Sequence, residues 1–142
     1  MKFFQSAFTM IELIFVIVIL GILASVAIPK FAVSRDDALM AKGKADIATI
    51  RSAIVTERQS QLIKGDNSWI PKLSDNTTTK LFTGDGNRTL LMYGITPSQW
   101  AKTSDTTYTF TVAGVVTTFT YSDTNGTFSC TTGAGNCNKL TN

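Results

Sequence analysis

Residues 8–28 read FTMIELIFVIVILGILASVAI, 21 residues of nearly unbroken apolar sequence with a single acid, Glu12. As a helix rising about 1.5 Å per residue, this run extends about 31 Å, close to the ~30 Å hydrocarbon core of a bilayer. It is long enough to span a membrane, and any fold proposed for the chain must provide for it.

A secretory signal is the competing interpretation of an apolar N-terminal run. Such a signal has a basic start, an apolar region of roughly 7–15 residues and a small-residue cleavage site behind it. Here the run is longer, and Ala27-Ile28-Pro29-Lys30 lacks the A-x-A pattern. The small residue stands in front instead, at Ala7, preceded by Met-Lys-Phe-Phe-Gln-Ser. Glu12 is a second discriminator, because a carboxylate near hydrocarbon costs about 3 kcal/mol or more and marks function rather than plain anchoring. On the residue alone, a position near the headgroups or a protonated acid stays open.

The string Ala7-Phe8-Thr9-Met10-Ile11-Glu12-Leu13, followed by Gly21-Ile22-Leu23-Ala24 and Ala27-Ile28-Pro29, resembles the opening of the type IV pilin and type II secretion pseudopilin family. Members of that family start with a short basic leader, a small residue, Phe-Thr-Leu-Ile-Glu and an apolar helix. This chain departs in having Ala7 where the family usually has Gly, and Met10 in place of Leu. The resemblance implies that a prepilin peptidase cuts between Ala7 and Phe8 and N-methylates the new amine of Phe8. Alanine is small enough for such a site, so the substitution bears on cleavage efficiency. A role for Glu12 is implied as well. The new Phe8 ammonium lies one helical turn before Glu12, and a buried acid and amine each lower the other's burial cost. In such filaments the acid of one subunit meets the Phe8 amine of its neighbour and sets axial register, with pairing inside one subunit as the alternative.

The remainder of the 142 residues, in a chain 44% hydrophobic and 16% charged, allows one small domain beyond the membrane helix. The net charge is only +3, and the thirteen Lys and Arg are spread along the chain. No basic block marks a nucleic-acid surface. Lys30, Arg35, Lys42 and Lys44 follow the apolar run while only Lys2 and the initial amine precede it. By the positive-inside rule alone, the C-terminal side would be cytoplasmic. The family resemblance, with its cytoplasmic leader, points the other way, as do two cysteines that suit an oxidising compartment.

Residues 30–64 continue in a helical pattern rich in Ala, Lys, Arg, Ile and Gln. Pro29 is expected to kink the helix where it leaves the membrane, Gly43 to be a local weak point, and Gly65 with Asp66-Asn67-Ser68 to stop it. Ala38, Ala41, Ala45, Ala48, Ser52, Val55 and Leu62 form one face of mostly small residues. Met40, Ile47, Ile50 and Ile54 form a bulkier one, with Lys44, Arg51 and Arg58 between. The Ile face is expected to pack under the chain's own head and the Ala face to let neighbouring helices approach. One broad core face with good helix formers around it is the other possibility.

Residues 65–105 turn polar and irregular, with clusters at 74–79 and 83–87 and apolar anchors at Trp69, Ile70, Leu81, Phe82, 90–93 and Trp100. Asp85 and Asp123 read as turn residues, since neither sits in the twelve-residue calcium loop pattern. From Thr106 the pattern is β. Tyr108, Phe110 and Val112 alternate with threonines, Val115, Val116, Phe119 and Tyr121 make a second strand, and Phe128 marks a third. Ala113-Gly114 and Asn125-Gly126 are hairpin signals. Cys130 and Cys137 flank a short loop. Two cysteines without a histidine supply no zinc set, whereas a disulfide fits an exported domain and resembles the disulfide-closed C-terminal segment of many pilins. Two free thiols stay open.

The chain is thus expected to be α+β and pilin-like, with a long N-terminal helix, half membrane-spanning and half amphipathic, packed on a small antiparallel β-sheet. Its parts are a leader at 1–7, a membrane and filament-core helix at 8–29, an amphipathic continuation at 30–64 and a globular head at 65–142. No histidine, P-loop, GxSxG or metal constellation points to an enzyme, a cofactor or a metal. The expected function is that of a structural subunit of a type IV pilus-like or type II secretion pseudopilus filament, with the pseudopilus favoured. Implied partners are pilin-like subunits, prepilin peptidase, an assembly ATPase with its platform protein, and inner-membrane lipid. Nucleic acid would enter only indirectly, through a DNA-uptake filament. The expected location is the bacterial inner membrane, single-pass with a periplasmic head, and then a filament in the periplasm or at the cell surface. The alternative is a monomeric membrane-anchored periplasmic binding module.

Overall fold

A computed structural model describes residues 8–75 and 79–142 of the chain. In order, the elements are α1 (Met10–Ile63), β1 (Trp100–Lys102), β2 (Thr107–Val112), β3 (Val115–Tyr121), β4 (Phe128–Cys130) and the short α2 (Cys137–Thr141). The fold is α+β and pilin-like, a long N-terminal helix with a small four-stranded antiparallel sheet. Two compact units divide the chain, Met1–Asp37 and Ala38–Asn142, so the C-terminal part of α1 belongs with the head.

Local chemistry sets both ends of α1. The Glu12 N–H donates to Thr9 Oγ1 at 3.3 Å and the Leu13 N–H to the Thr9 carbonyl at 3.2 Å. Thr-x-x-Glu is a helix-start signature, in which the hydroxyl satisfies a donor that the first turn leaves orphaned. At the other end the Asp66 N–H reaches the Gln61 carbonyl and the Gly65 N–H reaches the Leu62 carbonyl, both at 3.0 Å. This paired closure needs a left-handed residue, and Gly65 takes φ +85° without a Cβ to obstruct it. Between these ends the helix runs through Pro29.

In the second unit the two faces of α1 separate as expected. Ile47, Ile50 and Ile54 are buried, while Ala38, Ala41, Ala45, Ala48, Ser52, Val55 and Leu62 are exposed. The Ile face joins a core with Trp100, Tyr108, Phe110, Phe119 and Phe128 of the sheet and Ile70, Leu73, Leu81 and Phe82 of the connecting segment. Full burial of each such side chain contributes about 1.5–3 kcal/mol. Polar ties border the contact, from Trp100 Nε1 to Asp46 at 3.0 Å and from Arg51 Nε to the Phe128 carbonyl at 2.9 Å.

Gly43 is not the weak point expected. It is buried where the helix backbone meets the sheet, and a Cβ there would lie 2.5 Å from Phe110 Cζ and 2.9 Å from Leu140 Cδ2. Its role is close approach.

The sheet is a meander in the order β1-β2-β3-β4. Pairing from Thr107↔Thr120 to Val112↔Val115 leaves Ala113 and Gly114 as a two-residue turn, at φ 52° and 75°. Both angles are what a tight hairpin with native twist requires. Tyr108, Phe110, Val112, Phe119 and Tyr121 face inward, and Thr111, Thr118 and Thr120 face solvent. At the start of β3, Val115 and Val116 are exposed and Thr117 is buried. The two-residue period anchored by Phe119 and Tyr121 puts Thr117 inside, where its hydroxyl accepts the Asn136 N–H at 2.8 Å.

The stretch expected to be irregular also holds β1 and the bridges Leu81↔Ile95 and Gly84↔Thr89. Phe82 is fully buried there, with ring centroids 4.6 Å from Tyr108, 5.3 Å from Trp100 and 5.8 Å from Phe128. Its φ of 61° is unfavourable for a bulky residue. Hydrogen bonds hold it, from its own N–H to Ser74 Oγ at 2.8 Å and from the Leu91 N–H to its carbonyl at 3.1 Å. Residues 76–78 of the polar cluster at 74–79 lie outside the described residues.

Replacing Gly43 with alanine tests the close approach. Helix propensity alone favours alanine by roughly 1 kcal/mol, whereas forced overpacking costs about 1–3 kcal/mol. Gly43→Ala is therefore expected to lower the urea midpoint of the full chain in detergent. A raised midpoint would show that propensity prevails and that the contact is slack.

Candidate functional site

The N-terminal unit is laid out for a surrounding other than water. α1 contains a segment long and apolar enough to cross a membrane, and none of its apolar window is buried within the chain's own fold. Phe8, Met10 and Ile11 are each more than 70% exposed. The Ser25 hydroxyl donates to the Ile22 carbonyl at 2.7 Å, which leaves that polar side chain satisfied inside the run. Glu12 lies in the first helical turn and is exposed, with no hydrogen bond or ion pair from its carboxylate among the described residues.

Comparison with protein families places this arrangement. Residues 2–28 match the family described as the prokaryotic N-terminal methylation motif. The chain carries a type IV pilin-like, prepilin-type N-terminal segment. Such a segment is a substrate for prepilin peptidase, and with the apolar helix it fits anchoring in the inner membrane. No curated protein and no solved structure matches the chain.

Of the residues singled out in the sequence, Ala7 lies outside the described residues, Phe8 lies just before α1, and Glu12 lies in its first turn. Cys130 and Cys137 form a disulfide with their Cα atoms 5.8 Å apart. That bond joins β4 to the first residue of α2, whose Leu140 is buried in the core beside Gly43. Trp69 and Trp100 are packing residues, as expected. Trp100 is 2% exposed, and the Arg58 guanidinium lies 4.7 Å above the Trp69 ring. Asp85 is the turn residue expected, its carboxylate accepting the N–H groups of Asn87 and Arg88 at 2.9 and 2.6 Å.

The sequence did not reveal a polar cluster centred on Arg88. This guanidinium donates to the Asp66 carboxylate and to Ser68 Oγ at 2.6 Å, and its Nε stands 3.8 Å from Glu57 Oε1. The Ser68 N–H and hydroxyl, with Arg88 adding its positive charge, hold the Asp66 carboxyl below the usual carboxylate range. One signal was available, because Glu57 continues the spacing of Ile47, Ile50 and Ile54 and so is an acid on the core stripe. Nearby, burial pushes the Tyr121 hydroxyl up to about 12, and that hydroxyl donates to the Ile70 carbonyl at 2.8 Å.

Two measurements follow from these contacts. Reducing the disulfide is expected to lower stability on the order of 2–3 kcal/mol, read as a lower thermal midpoint in reductant. An unchanged midpoint would mean that α2 holds its place without the bond. Because the folded pKa of Asp66 is depressed, its contribution is present above the unfolded value and is lost as pH falls through the folded one. Asp66→Asn is therefore expected to flatten unfolding against pH below about pH 4, without changing its slope near neutrality.

Proposed function

We propose that the chain is a structural subunit of a pilus-like filament, either a type IV pilus-like fibre or a type II secretion pseudopilus. The supporting observation is a prepilin-type segment at residues 2–28 whose apolar helix finds no cover in the chain's own fold. Cleavage between Ala7 and Phe8 gives Phe8 a new amine, which prepilin peptidase methylates. Assembly then moves the helix from the lipid pool into a core of like helices. Glu12 is the one charge in residues 8–28. The neighbour's Phe8 ammonium offsets its burial cost and sets the axial step between subunits. The exposed small-residue face from Ala38 to Ser52 lets a second helix come close. Leaving the bilayer is uphill, so an assembly ATPase and platform protein supply the work.

The head is periplasmic in this proposal, where a disulfide persists. The basic residues after the apolar run weigh against that topology, and the N-terminal segment and the disulfide outweigh them. The small head favours the pseudopilus. The activity is polymerisation rather than catalysis.

Mass spectrometry of the N-terminal peptide recovered from membranes is the direct test. A peptide starting at Phe8 with one added methyl group is expected, and an intact Met1 start would overturn the processing. Glu12→Ala is expected to abolish filaments while the chain stays in the membrane. Filaments formed normally by that variant would remove the acid from assembly, and a chain that forms no filaments and whose head binding Glu12→Ala leaves intact would favour a monomeric anchored module.

A further inference from the structure

A groove of about 830 Å³ runs between α1 and residues 87–91, within the roughly 300–1,000 Å³ range of clefts that take small ligands. Glu57 lines it and is 7% exposed, yet neither of its carboxylate oxygens has a hydrogen-bond donor among the described residues. The nearest cation is Arg88, whose Nε is 3.8 Å away, beyond a hydrogen bond. The rest of that guanidinium is committed to Asp66, Ser68 Oγ and, at 3.5 Å, the Ser68 carbonyl. Two acids therefore share one guanidinium, and the more buried acid lacks a donor. A buried carboxylate in that condition is costly unless something completes it.

The helix wall beside Glu57 shows what would complete it. Thr49 Oγ1 donates to the Ala45 carbonyl at 2.8 Å and Thr56 Oγ1 to the Ser52 carbonyl at 3.0 Å. Each hydroxyl has spent its one proton, so both offer only lone pairs to the groove. Around Glu57 the lining also carries donors at Ser52, Ser60, Gln61 and Asn87, but none of them reaches its carboxylate, so a donor-rich, positively charged group would complete Glu57 and meet the lone pairs of Thr56. Lys64, also in the lining, lies seven residues beyond Glu57, about 10 Å along the helix axis, and carries the positive charge at that end. One added cation suits the groove better than several.

We propose that this groove binds a single ammonium or guanidinium group at Glu57, with Thr56 beside it as a second acceptor. A free small amine and a Lys or Arg side chain of another copy present the same chemistry.

The test uses the full chain in detergent micelles, titrated with n-butylammonium or methylguanidinium chloride and followed by NMR of the groove amides. n-Butanol and sodium chloride serve as controls. Saturable shifts confined to residues 57–64 and 87–91 are expected, with a Kd on the order of 1 mM, and no saturation by about 100 mM would overturn the proposal. Matching shifts with sodium chloride would also overturn it, because the response would then be ionic screening. Glu57→Gln, which keeps the side chain's shape and removes a buried charge that no hydrogen bond satisfies, is expected to fold with an equal or higher thermal midpoint and to bind at least tenfold more weakly. Undiminished binding by that variant would overturn the assignment. Should it fail to fold, Thr56→Val, at an exposed helix position, is expected to weaken binding severalfold, and undiminished binding there would overturn the site as drawn. Shifts of the same residues that grow with protein concentration without added amine would identify a second copy as the source. Their absence, with amine binding intact, would identify the free amine.

Discussion

The head depends on how closely one helix can lie against one sheet. Ile47, Ile50 and Ile54 present the apolar stripe, and the aromatic inner face of β1 to β4 receives it. The distance between them is set at Gly43, where the missing side chain admits the Phe110 ring and the Leu140 methyl. The rest of the head follows from that approach. Phe82 fills the space above the sheet among Trp100, Tyr108 and Phe128, and it accepts a strained backbone to do so because burying a phenyl ring outweighs the cost. Trp100 and Arg51 spend their polar atoms on the edges of the contact, so no donor of theirs is stranded beneath it.

Long, regular features were legible in the sequence. The 3.6-residue pattern of α1, its stop at Gly65, the two faces of its second half, the Ala113-Gly114 hairpin and the cysteine pair all came from periodicity or from residues with one strong conformational use. Short or non-local features were hidden. β1 is three residues long and is recognisable only through its pairing with β2. α2 is five residues held by a disulfide and by Leu140. Gly43 was misjudged because its conformational cost is local and its packing benefit lies more than sixty residues away, at Phe110. The two-residue period through Phe119 and Tyr121 turns Thr117 inward and Val116 outward, whereas Val115, on the inner side by that period, is exposed beside the Ala113-Gly114 turn.

For the candidate site, the prepilin-type segment was legible, because its motif is a continuous local string of residues. The Arg88 cluster was not, since Glu57, Asp66 and Arg88 come together only when the loop after α1 folds back. The chain thus solves two apolar problems by different means. Residues 8–28 leave their surface uncovered by the chain's own fold, while the second unit encloses an aromatic core and sets Thr111, Thr118 and Thr120 on the outer sheet face, residues that favour strands without adding a greasy surface.

The position of α2 also fixes an order of events during biosynthesis. The Ile stripe leaves the ribosome early, but the residues that seal it beside Gly43 are Leu140 and the Cys130–Cys137 bond, near the end of the sequence. The core that Ile47, Ile50 and Ile54 begin is therefore closed only once Leu140, more than eighty residues after Ile54, has been made. Until then the stripe is exposed apolar surface, the condition in which an incomplete chain aggregates or is cleared by proteases.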